Sequence, residues 1–276
     1  MSVDSPGVGE FAEQDLGDTE EFVGEHAKMS FLDHLDELRR RILYSLYVLI
    51  ACCAVTFYYW DPLFKYFVYY FSSNGGKLIY TKPMTGFMFS MKISALAALG
   101  VASPFIFSQV WLFVAPGLYA KEKKVVVPFV FFSSMFFFAG VYFAHRLAFP
   151  SMWKFFASYQ VLAPDGSGLG YMPDLDVAFE FYVKTVLGLG LVFQMPMVVF
   201  FLARFGIVSA GMMLRKFKYA MLVIVVLAAV ITPSGDPVNL TIFSAPMIVL
   251  YLLSIGVAWM FGKKRPVREE GSGLLG

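Results

Sequence analysis

Apolar residues in this chain run in long unbroken stretches rather than in the alternating or three-and-four spacing of half-buried elements. Six such runs are apparent, at 42–60, 93–114, 125–144, 185–202, 219–231 and 240–261. Four comfortably reach the roughly 20 residues needed to cross a bilayer as a helix. The fifth has 13 residues and would rise only about 20 Å against a hydrocarbon core of about 30 Å, and the sixth carries Pro246 near its start. No Asp or Glu falls inside any of the six runs. Thr232, Pro233, Ser234, Gly235, Asp236 and Pro237 form a polar tip between the last two, with residue types that favour turns. The stretches 61–80 and 145–176 mix Phe, Tyr and Pro with few charges and are expected to lie on the bilayer surface as caps.

Composition agrees with the pattern. Of 276 residues, 58% are hydrophobic and 15% charged, whereas soluble domains carry about 25% charged residues. So large an apolar excess exceeds what one core can hide from water. The expected fold is an all-α polytopic membrane protein.

Charge supplies the orientation. Eight acids precede residue 28, so residues 1–28 read as a disordered acidic arm. Residues 29–264 form the six-helix domain and 265–276 a tail. Fifteen of the 22 Lys and Arg fall on one side of the alternating spans, around 28–41, 121–124, 204–218 and 263–268. Short cytoplasmic loops retain positive charge, so both termini are expected in the cytoplasm. Cys52 and Cys53 are adjacent and diverge by about 100° on a helix, so they do not pair readily.

Reactive constellations are absent from the sequence. His26, His34 and His145 share no span, which leaves an intramembrane metalloprotease or haem protein without ligands. No phosphate-binding glycine loop is present, and no buried carboxylate suggests ion coupling. A small-molecule secondary transporter remains the alternative, but no repeat relates the first three spans to the last three. Neither a cofactor nor a nucleic-acid partner is expected.

Two polar constellations remain. SFLDHLDELRRR at 30–41 reads as an interfacial helix entering the first span. There Asp36 with Arg40, and Glu37 with Arg41, have the spacing of ordinary ion pairs worth a few tenths of a kcal/mol each. FVAPGLYAKEKK at 113–124 ends the second span at Pro116 and Gly117 and sets Glu122 among three lysines. Glu122 either balances charge in a solvated loop or joins Glu37 as an acceptor for a guanidinium. Lys92, Lys184 with Glu180, and Gln109 read as anchoring or bundle contacts.

These segments, together with FQMP in the fourth run and ITPSGDPVNL between the fifth and sixth, resemble the C subunit of the twin-arginine protein translocase, the TatC family, from about residue 30 to 264. The resemblance implies six helices in a concave bundle with helices five and six short. It implies a non-enzymatic receptor in the bacterial cytoplasmic (inner) membrane that binds twin-arginine signal peptides of folded proteins. Transport would draw on the proton motive force, with TatA-type and TatB-type single-span partners and self-association of the chain. Glu37 and Glu122 would engage the arginines; Phe113, Pro116, Tyr119 and Arg39 would complete that surface. Gln194 stands where the family typically has glutamate: it is either an interhelical contact beside Pro196 or a pocket residue. Thr232, Asp236 and Asn239 would either shape the turn or meet partner subunits.

Overall fold

The computed structural model describes residues 8–74, 77–114, 126–162, 168–232 and 236–262. Ten helices dominate these residues, and five of them, or continuous pairs of them, are long and apolar enough to cross a membrane. α1 (Val8–Tyr58) is followed after one residue by α2 (Trp60–Ser73). Its start at Val8 places helical backbone where the sequence reading expects a disordered arm; no proline interrupts 8–58, and Glu and Ala support helix. In the part from Asp33 to Tyr58 no residue is buried, because α1 lies chiefly along α3 (Thr85–Val114) and turns its other sides outward. Ile42, Leu46 and Ile50 are all exposed there, a surface that only lipid or another protein can cover.

α4 (Val126–Phe143) runs without a break through one π-helical stretch (Ala144–Ala148) into α5 (Phe149–Ala157). A short hairpin, β1 (Val161–Leu162) with β2 (Gly168–Leu169), follows. α6 (Leu175–Val192) opens on Asp174, whose carboxylate accepts the Asp176 N–H at 2.9 Å. The fourth apolar run is in fact two helices, α6 and α7 (Met195–Arg204). Pro196 has no N–H for the Val192 carbonyl and its ring would crowd that group, so α6 ends there. α7 closes on Gly206 at φ +76, with Ile207 N–H bonded back to Leu202 O at 2.9 Å. α8 (Ala210–Arg215), α9 (Phe217–Ile231) and α10 (Pro237–Phe261) complete the chain.

One implication of the resemblance needs correcting. α9 is short at 15 residues, but α10 has 25 residues, about 37 Å of helix. Asp236 caps α10 through the Asn239 N–H and Pro237 occupies its first position. The helix therefore starts before the apolar run does, and it carries Pro246 without breaking.

The core is aromatic and lies toward the end of the bundle where α3 and α6 begin. Phe71, Phe89, Phe149, Trp153 and Phe179 are almost wholly buried, with Tyr182 among them. Phe71 stacks on Trp153 at 5.6 Å and Phe89 meets Phe179 edge-on at 4.8 Å. Such pairs add about 0.5–1.5 kcal/mol each beyond area burial. The segments expected as surface caps fold as α2, the π-helical stretch, α5 and the β-hairpin. The link between α2 and α3 is stitched to the start of α6 by Leu175 N–H to Ile79 O at 2.8 Å and by the Thr81 hydroxyl to Asp174 at 3.0 Å.

Candidate functional site

At the opposite end of the bundle, α1 meets the last turns of α3. Of the two ion pairs expected on α1, Glu37 with Arg41 forms and Asp36 with Arg40 does not. Arg41 donates to Glu37 Oε1 from Nε at 3.0 Å and from Nη2 at 2.5 Å. Its Nη1 reaches Gln109 Oε1 on α3 at 3.5 Å. His34 lies 3.9 Å from the second Glu37 oxygen and stacks on Phe113 at 4.3 Å between centroids. Glu37 thus sits in a niche floored by an aromatic pair and already holding one guanidinium. The two side chains are 21% and 32% exposed, so water competes for the pair and its net worth is about 0.3–0.5 kcal/mol. A guanidinium offered with better geometry can displace Arg41 at small cost.

Arg39 is exposed on the same helix. Phe113 is half-buried one residue before α3 ends. Pro116, Tyr119 and Glu122 lie outside the described residues.

The polar residues assigned to a pocket or partner surface sit differently. Gln194, in the joint between α6 and α7, is 8% exposed and donates from Nε2 to the Ser133 carbonyl at 2.9 Å. The Ser133 hydroxyl accepts the Trp111 indole N–H at 2.7 Å, and Trp111 stacks on Phe201 at 4.3 Å. Gln194 therefore ties α4 to the α6–α7 joint. Thr232 and Asn239 are also buried, at 3% and 1% exposure. Asn239 bonds twice to Asp236, by its backbone N–H at 2.8 Å and its side-chain amide at 2.9 Å. The Asp236–Asn239 pair does turn and cap work at the start of α10.

A second hub escaped the sequence reading. His145, inside the π-helical stretch, has Tyr66 OH at 3.0 Å from Nε2 and Tyr182 OH at 2.9 Å from Nδ1, and its carbonyl accepts the Tyr70 hydroxyl. Tyr70 stacks on the imidazole at 4.1 Å. The only hint in the sequence is the i,i+4 spacing of Tyr66 and Tyr70, which puts both rings on one face of α2.

The fold and these contacts define a polytopic α-helical membrane protein, with carboxylate and amide acceptors at one face and an aromatic cap at the other. Comparison with known proteins narrows the class. The family model for Sec-independent protein translocase protein (TatC) matches residues 33–246. A Sec-independent protein translocase protein TatC from Koribacter versatilis is 40% identical over 249 residues, covering 88% of this chain and 90% of its own. One from Helicobacter pylori is 37% identical over 229 residues, covering 82% and 86%. A crystal structure of the twin-arginine translocase receptor TatC superimposes with a TM-score of 0.67 at 26% identity, over 82% of this chain and 97% of that one. The chain belongs to the TatC family of Sec-independent protein translocase proteins.

Proposed function

We propose that this chain is the signal-peptide receptor and core subunit of a twin-arginine translocase in a bacterial inner membrane. Both termini face the cytoplasm, the side to which the Lys and Arg of the short loops are biased. The observation that carries the reading is the Glu37 niche. Its carboxylate already accepts two N–H bonds from the Arg41 guanidinium, beside the stacked His34 and Phe113. Arg41 is a resident stand-in for the arginine of an arriving peptide. Two adjacent peptide arginines require two acceptors, and Glu122 supplies the second, with Pro116, Tyr119 and Arg39 completing the surface. A planar guanidinium can fork onto each carboxylate, which a lysine ammonium cannot reproduce.

The chain makes and breaks no bond. Its role is to hold the peptide and to assemble TatA-type and TatB-type single-span subunits and further copies of itself. Those subunits form the path for a folded protein, driven by the proton motive force. The deciding experiment measures binding of a twin-arginine signal peptide and a twin-lysine control to membranes containing wild type, Glu37→Ala or Glu122→Ala. Arginine-selective binding lost in both variants supports the reading. Equal binding of the two peptides, or indifference to both substitutions, refutes it.

A further inference from the structure

At the membrane face opposite Glu37, α3 and α6 start side by side and leave a crevice of about 350 Å³ between them. Its walls are Ala95, Leu96 and Leu99 from α3 and Phe179, Val183 and Leu187 from α6. A second hollow of about 190 Å³ adjoins it toward α4, sharing Leu96, Leu99 and Leu187 and passing Gly100, beside which a Cβ would meet nothing within 4 Å. The mouth is charged on both walls. Lys92 Nζ lies 2.5 Å from Asp176 Oδ1, and Lys184 Nζ lies 2.8 Å from Glu180 Oε1. Lys92 and Glu180 themselves line the crevice.

From this arrangement we infer that the crevice is a binding site for one phospholipid with a primary-amine headgroup, of the phosphatidylethanolamine type, in the leaflet where α3 and α6 begin. Depth agrees with the assignment. Lys92 lies seven residues into α3 and Glu180 five into α6, about 8–10 Å below the helix starts, where headgroups give way to acyl chains. The lining agrees as well: below Lys92 and Glu180 at the mouth, every wall is an apolar side chain along which an acyl chain can lie. Charge selects the headgroup. One Lys92 N–H is engaged by Asp176, and the two others are available for a phosphate. Glu180 Oε1 is engaged by Lys184, and Oε2 is available for an ammonium. A headgroup carrying both charges satisfies both walls. Phosphatidylglycerol brings the Glu180 side hydroxyl donors but no cation, and a quaternary choline has no N–H to give it.

The test places the full chain in nanodiscs of phosphatidylethanolamine and phosphatidylglycerol in equal parts, then releases it and counts retained lipids by native mass spectrometry. Wild type is expected to keep one phosphatidylethanolamine in preference to phosphatidylglycerol. Glu180→Gln, at an exposed position, should lower that retention about tenfold, the worth of one charged hydrogen bond, and leave phosphatidylglycerol unchanged. Ala95→Trp, also exposed, should fill the crevice and abolish retention; Glu180→Gln alone decides if that variant misfolds. Equal retention of the two lipids, unchanged retention in Glu180→Gln, or a peptide held in place of lipid overturns the inference.

Discussion

At Gly140 α4 packs tightly against the backbone of α6, and replacing it by alanine tests whether backbone contact fixes that crossing. A Cβ at Gly140 would lie 2.9 Å from the Leu189 carbonyl oxygen, 2.9 Å from Phe193 Cγ and 3.0 Å from Gly190 Cα. Two of the three are backbone atoms of α6, which cannot retreat without moving the helix. Overpacking of this kind costs about 1–3 kcal/mol. Glycine to alanine within a helix otherwise gains about 0.5–1 kcal/mol. The net expectation is a loss of roughly 0.5–2 kcal/mol, a shift of up to about thirtyfold in the unfolding equilibrium. Gly256→Ala is the control, because a Cβ there meets nothing within 4 Å, and it should be neutral or stabilising. Gly190→Ala belongs between them: its Cβ meets the edge of the Phe137 ring at 2.8 Å, and a half-buried ring can pivot. The assay is unfolding of the purified protein in mixed micelles with increasing dodecyl sulfate, followed by circular dichroism. If Gly140→Ala proves as stable as Gly256→Ala, backbone contact does not set the α4–α6 crossing.

Three further outcomes are expected. Gln194→Leu removes the bond to the Ser133 carbonyl and should cost about 0.6–1.7 kcal/mol in the same unfolding assay, the range for interhelical bonds in membranes; no loss would show that the tie is idle. Arg41→Gln should tighten binding of a twin-arginine peptide, since it removes the guanidinium that occupies Glu37; weaker binding would mean that Arg41 positions the carboxylate. Burial pushes the Asp174 carboxyl up, yet bonds from the Asp176 N–H, the Thr81 hydroxyl and N–H, and the Val177 N–H together hold it below the ordinary value. A carboxyl lowered on folding stabilises the fold above its unfolded value and loses that contribution as pH falls through the folded one. The difference in melting temperature between wild type and Asp174→Asn should therefore be present at neutral pH and shrink below about pH 4; a constant difference would refute the assignment.

Spans were legible because lipid demands long apolar runs, and their centres lie inside α1, α3, α4, α6–α7, α9 and α10. Ends and breaks were less so. The fourth run reads as continuous, although Pro196 divides it, because hydropathy does not register a missing N–H. α10 exceeds its apolar run because its start is set by the polar cap Asp236, which a hydropathy reading counts as loop. At the site, the Glu37–Arg41 pair was readable from i,i+4 spacing alone. The contacts of Arg41 with Gln109 and of His34 with Phe113 span 68 and 79 positions in the chain and depend on how α1 lies on α3. For the same reason the bond from Gln194 to Ser133, 61 positions apart, was not readable from the sequence.

The π-helical stretch at Ala144–Ala148 has a consequence for how this chain can vary in length. By accommodating one extra residue within a widened turn, it lets the rod continue into α5 without a break. Removing a residue there would restore regular helical bonding and leave the hydropathy profile almost untouched. Because the widened turn absorbs that residue, the helix beyond would keep its phase, and Phe149, Met152 and Trp153, all buried now, would still face the aromatic core. The same deletion within the regular turns of α4 has no such slack and would turn all three away together by about 100°. The aromatic cap is thus buffered against a one-residue change of length at this point and not in the regular helix that precedes it.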